Sequence, residues 1–178
     1  MCSTPKNVKD KSQIIMKKVI IPLLLTVLSG CHDPNKTITG LEGKPMPHFS
    51  IQLSDGITKL NTDSIPMGEP IVLFYFGPYC PYSRSQMQEM IDNMSSLQNI
   101  RFYLFTRASF QDMQVFYNYF HLQKYPNILV GVESSNVFNN YYNVPGAPYT
   151  AIYNTKKCLK QSLFGQSDVN VIRDIALK

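Results

Sequence analysis

The chain has 178 residues, of which 44% are hydrophobic and 16% charged, and its formal net charge is +5. That length and apolar content suit one folded domain, and exclude both a disordered chain and two full domains. Five lysines stand against one aspartate before Cys31, leaving twelve basic and eleven acidic residues for the remainder. The basic excess therefore sits in a leader, and nucleic-acid binding has no electrostatic basis in the rest.

The leader, residues 1–30, has the order of a secretory signal. Met16-Lys17-Lys18 is a short basic start, Val19 to Leu28 is an apolar run, and Ser29-Gly30 supply small residues at a cleavage point. Met16 also offers a start codon, in which case Cys2 is never made. A helix crossing a bilayer needs about 20 apolar residues, so this run is too short to span. Leu28-Ser29-Gly30-Cys31 resembles the lipobox of bacterial lipoproteins. The resemblance implies that Cys31 becomes a lipidated first residue, anchoring the chain to a membrane of the cell envelope with its domain facing the periplasm or the exterior. Residues 31–45 are polar, with Pro34, Gly40, Gly43 and Pro45, and read as a flexible tether. At about 3.3–3.6 Å per residue such a tether reaches roughly 50 Å.

Residues 46–178 alternate strand and helix patterns. His48 to Leu53 and Ile57 to Leu60 read as a hairpin around Ser54-Asp55-Gly56. Pro70 to Phe76 is a continuous apolar run, as in a buried central strand. Met87, Met90, Ile91 and Met94 mark one face of a helix over 80–97. Ile100 to Phe105 is a second strand, and 109–121 a second helix. Pro126 to Val132 predicts a strand, 135–142 a short helix, and 149–153 with 159–164 a late hairpin. A last helix runs over 167–177, with Ser167 as its expected N-cap. This order predicts an α/β domain with a mixed central sheet, helices on both faces and an N-terminal hairpin extension.

Cys80 stands where the first core strand turns into a helix. Helix N-termini carry exposed N–H groups and partial positive charge, which favour a thiolate over a thiol. Pro81 suits the first helical turn. The thiolate is the nucleophile of disulfide exchange, so this position reads as reactive, with an inert buried cysteine as the alternative.

The stretch from Met46 to Lys178 resembles the thioredoxin-like superfamily, and within it the membrane-anchored extracytoplasmic thiol–disulfide oxidoreductases. Cys80-Pro81-Tyr82-Ser83 aligns with their Cys-x-x-Cys motif, and Val144 to Thr150 with the loop that holds their cis-proline. The resemblance implies a three-layer fold, Cys80 as nucleophile and Pro148 as the cis-proline. It implies that the Ala147 backbone receives substrate by strand addition, with Tyr79, Pro81 and Tyr82 around it. Partners are then protein or small-molecule thiols and disulfides, with no cofactor and no metal. Three departures follow. Ser83 replaces the resolving cysteine, so an external thiol must finish the reaction, and the Ser83 hydroxyl is expected to bond the thiolate. Phe74 takes the place of a polar residue six positions before the nucleophile and can move no proton. Tyr79 replaces a tryptophan.

Cys158 lies ten residues after Pro148, past the hairpin turn. The strand between them spans about 16 Å at ~3.3 Å per residue, so an internal bond to Cys80 is not expected. A half-exposed strand residue and an intermolecular bond both remain open for it. His32, His48 and His121 lack ligand spacing. Two functions stay open: monothiol exchange through Cys80, or a redox-inactive binding module on the same fold.

Overall fold

The computed structural model describes residues 35–178, so the expected leader and the lipidation site at Cys31 lie outside them. The strands are β1 (Lys36–Thr37), β2 (Ser50–Leu53), β3 (Lys59–Asn61), β4 (Ile71–Tyr75), β5 (Arg101–Thr106), β6 (Ile128–Val132), β7 (Tyr149–Tyr153) and β8 (Leu159–Phe164). The α-helices are α1 (Pro81–Asp92), α2 (Phe110–Tyr119), α3 (Val137–Tyr142) and α4 (Val169–Leu177). The strands form one mixed sheet in the order β1-β8-β7-β4-β5-β6-β2-β3. β5 runs parallel to both β4 and β6, whereas β7 runs antiparallel to β4.

Side chains alternate across the central strands, and this alternation sets the layers. Val72, Phe74, Phe102 and Leu104 face a core closed by Met87 and Met90 of α1, Met113 and Phe116 of α2, and Ile172 of α4. Ile71, Leu73, Tyr103 and Phe105 face the other side, where Phe138 and Tyr142 of α3 pack with Met46, Phe49 and Ile65. Helices therefore lie on both faces, and β2 and β3 form the N-terminal hairpin extension.

Three expectations need correction. The segment read as a flexible tether is built into the domain from residue 35 on. β1 pairs antiparallel with β8, and Gly43 N–H donates to the Leu159 carbonyl at 2.8 Å. Backbone pairing against an edge strand needs no apolar side chain, so a polar composition does not reveal it. The first helix stops at Asp92 instead of Leu97. The Asn93 side chain donates to the Glu89 carbonyl and competes with the helix backbone, and a 3-10 turn over Met94–Ser96 follows. The N-cap of α4 is Asp168, whose carboxylate accepts from Asn170 N–H at 2.7 Å. Ser167 is buried one residue earlier, its N–H donating to Gln86 Oε1 at 2.7 Å.

The register positions the site. Tyr75, the last residue of β4, lies opposite Tyr149, the first residue of β7. The chain leaving β4 and the chain entering β7 therefore meet at one end of the sheet.

Candidate functional site

Cys80 is the N-cap residue of α1, with φ −70° and ψ 121°, and Pro81 occupies the first helical position. The Cys80 side chain makes no capping bond to its own helix. Its thiol donates instead to the Ala147 carbonyl at 3.3 Å. The Ala147–Pro148 peptide bond is cis. The two sequence motifs, 67 residues apart along the chain, thus meet at a sulfur–oxygen contact.

Close approach within the turn depends on Gly77. A Cβ built there would stand 3.0 Å from Cys80 Cβ and 3.7 Å from Ala147 Cβ. Ser83 is fully buried, and its hydroxyl accepts from Gly77 N–H at 3.1 Å. The expected bond from Ser83 to the sulfur is not among the hydrogen bonds of the described residues. Ser83 holds the turn in place instead, because the first turn of α1 rolls its side chain inward. Phe74 is fully buried and stacks with Phe76, so the space beneath the motif is apolar.

Two exposed aromatics flank the cysteine. Tyr79 is 65% exposed, and its hydroxyl donates to Asp112 of α2 at 2.8 Å. That bond pushes the Tyr79 phenol above its usual range. Asp112 is held below the usual carboxylate range, first by the Ser109 hydroxyl and then by Tyr79. Arg84 donates to the Pro78 carbonyl at 3.2 Å, and its guanidinium lies 3.9 Å from the Tyr119 ring centroid. This cation–π seat pins the turn to α2.

A groove of about 570 Å³ opens beside the thiol. Tyr82 and Glu89 of α1, Ala147 and Pro148, and residues Phe164 to Asp168 line it. Gly165 N–H donates to the Pro148 carbonyl at 2.9 Å, joining the end of β8 to the start of β7. Gly165 has φ +84°, a left-handed conformation that favours glycine. Tyr79 and Pro81, expected around the substrate, do not line this groove. Sequence reading missed Glu89 and the 164–168 turn. Glu89 stands seven residues after Tyr82, two helical turns along the same face, and that spacing was the available sign.

Cys158 is also a free thiol. It lies beyond the Tyr153 end of β7, where Pro45 forms an isolated bridge with it, so the two thiols occupy opposite ends of the sheet. Among the described residues no group of three His, Cys, Asp or Glu side chains is placed to hold a metal ion. No helix among them is long and apolar enough to cross a membrane.

No protein-family model matches the sequence, and no curated protein matches it. Solved structures do. A secreted disulfide oxidoreductase of Mycobacterium tuberculosis, homologous to E. coli DsbE, aligns at 20% identity and a TM-score of 0.59, covering 73% of this chain and 96% of that one. The thioredoxin domain of a thiol-disulfide oxidoreductase from Bacteroides vulgatus aligns at 12% identity and a TM-score of 0.61, covering 76% and 97%. The fold is thioredoxin-like. AhpC of Enterococcus faecalis matches as well, at 12% identity and a TM-score of 0.62 over 76% and 90% of the chains. A thioredoxin-like fold thus frames the site, and the chemistry must be argued from Cys80 and its neighbours.

Proposed function

We propose that this chain carries out monothiol thiol–disulfide exchange through Cys80. The observation that carries the reading is the Cys80 sulfur at a helix N-terminus, 3.3 Å from the carbonyl of Ala147 beside cis-Pro148. Two structural neighbours, the disulfide oxidoreductase of Mycobacterium tuberculosis and the thiol-disulfide oxidoreductase of Bacteroides vulgatus, support it.

The Cys80 thiolate attacks one sulfur of a substrate disulfide. A bond forms between the two sulfurs, the substrate disulfide breaks, and its electron pair leaves on the second sulfur as a thiolate. Ala147 backbone groups hold the substrate chain in extended form, replacing the thiol–carbonyl contact of the free protein. Ser83 carries no sulfur, so the motif closes no internal disulfide. An external thiol completes the cycle. Attack at the Cys80 sulfur releases reduced substrate, and a second external thiol then frees Cys80, leaving the two external thiols as one disulfide. Attack at the substrate sulfur restores Cys80 at once and leaves the substrate bonded to the external thiol.

The leader adds an address. Cys31 becomes the lipid anchor at the envelope membrane, and Cys31→Ala is expected to abolish incorporation of a labelled fatty acid into the protein. The chemistry is tested with an oxidised peptide in a Cys158→Ser background. Mass spectrometry is expected to find a mixed disulfide on Cys80, absent in Cys80→Ala. No adduct, together with partner capture that survives Cys80→Ala, would instead support the redox-inactive binding module.

A further inference from the structure

The groove beside Cys80 has a chemistry of its own. Its walls include the rings of Tyr82 and Phe164 and the carboxylates of Glu89 and Asp168. No lysine, arginine or histidine lines it. Each carboxylate uses one oxygen on the backbone of α4. Glu89 Oε1 accepts from Val169 N–H at 3.0 Å, and Asp168 Oδ1 from Asn170 N–H at 2.7 Å. The second oxygen of each has no hydrogen-bond partner among the described residues. Ser167, 3% exposed, also lines the groove, and its hydroxyl is buried without a partner among the described residues. An aromatic pair, two carboxylate oxygens and an unused hydroxyl acceptor are complementary to an alkylammonium or guanidinium group. Ala147 both lines the groove and contacts the Cys80 sulfur, so a side chain next to the reacting cysteine reaches it.

We infer that the groove selects disulfide substrates with a basic side chain beside the reacting cysteine. Resting on Cys80 as the exchanging thiol, this names the substrate class: cationic disulfide peptides, in preference to acidic peptides and anionic small disulfides. The basic side chain lies between Tyr82 and Phe164 with its charge on Glu89 and Asp168.

The test uses the full chain with Cys2, Cys31 and Cys158 each replaced by serine, which leaves Cys80 as its single thiol. Two peptides are prepared, Ala-Lys-Cys-Lys-Ala and Ala-Glu-Cys-Glu-Ala, each as a mixed disulfide with thionitrobenzoate. Cys80 attacks the peptide sulfur, and the coloured thiolate leaves and is counted. The lysine peptide is expected to react at least about tenfold faster. In Glu89→Gln/Asp168→Asn, which keeps the backbone acceptors and removes the charges, the two rates should fall within about twofold. Asp63→Asn, at the opposite end of the sheet, should leave the preference unchanged. Equal rates in the parent protein overturn this inference and leave the exchange reaction standing. A preference that survives the double variant overturns the groove as its source. No adduct with either peptide overturns both readings.

Discussion

At the residue scale the site is a cysteine held by backbone, with few side chains to help. Gly77 and Ser83 do the holding, through a close approach and one hydrogen bond. Gly77→Ala forces Cys80 or its loop to give by a few tenths of an ångström, so adduct formation should slow while the far end of the sheet stays intact. Stopped-flow release of a coloured leaving thiol checks this. Ser83→Ala leaves Gly77 N–H without its acceptor and is expected to cost about 1 kcal/mol in a urea titration. Ser83→Cys restores a dithiol motif. That variant should release a bound peptide by internal disulfide formation, without added thiol, as followed by mass spectrometry. Cys80 was legible because a strand-to-helix turn is a local pattern, and Ala147 and Pro148 only through the resemblance of their loop to a known family. The partner of Ser83 was not, because it depends on how α1 rolls against the sheet.

At the element scale, α3 supports the loop that carries Ala147. It has six residues and is bracketed by Asn136 and Asn143, both in the left-handed region that asparagine tolerates. Phe138 anchors it, fully buried against the rings of Phe49, Phe105, Tyr142 and Tyr149. Phe138→Ala should destabilise the fold by about 3–5 kcal/mol, read by chemical denaturation. Gly131 of β6 is the matching point on the hairpin side. A Cβ there would stand 2.2 Å from the Gln52 carbonyl oxygen and 2.6 Å from Ile51, both in β2. Gly131→Ala should therefore loosen the β2–β3 hairpin, seen as faster amide exchange in β2. The strands were readable from apolar runs and alternation. The docking of residues 35–45 was not, since main-chain bonds to β8 and to the turn after β7 carry it.

At the scale of the whole molecule, acid sensitivity is spread over three exposed carboxylates, one of them, Asp112, bonded to Tyr79 beside the reactive cysteine. Asp174, Glu69 and Asp112 are held below the usual carboxylate range, chiefly by Lys178, Arg101 and Ser109 respectively. Groups lowered in the folded state contribute stability that is present above their unfolded values near about pH 4 and is lost as pH falls through the lowered folded values. The urea midpoint should thus be lower at pH 3 than at pH 7, modestly because all three are exposed. A midpoint that rises on acidification would contradict these pairings. The two free thiols of the described residues lie at opposite ends of the sheet, so Cys158 cannot resolve an adduct on Cys80 within the folded domain. That leaves a mixed disulfide dependent on outside help, which is the central claim. The most direct measurement follows the Cys80–peptide adduct of the otherwise unaltered chain by mass spectrometry, first alone and then with an added small thiol. The account predicts an adduct that persists until the thiol is added. Release of the peptide with formation of a Cys80–Cys158 bond, or no adduct at all, would contradict it.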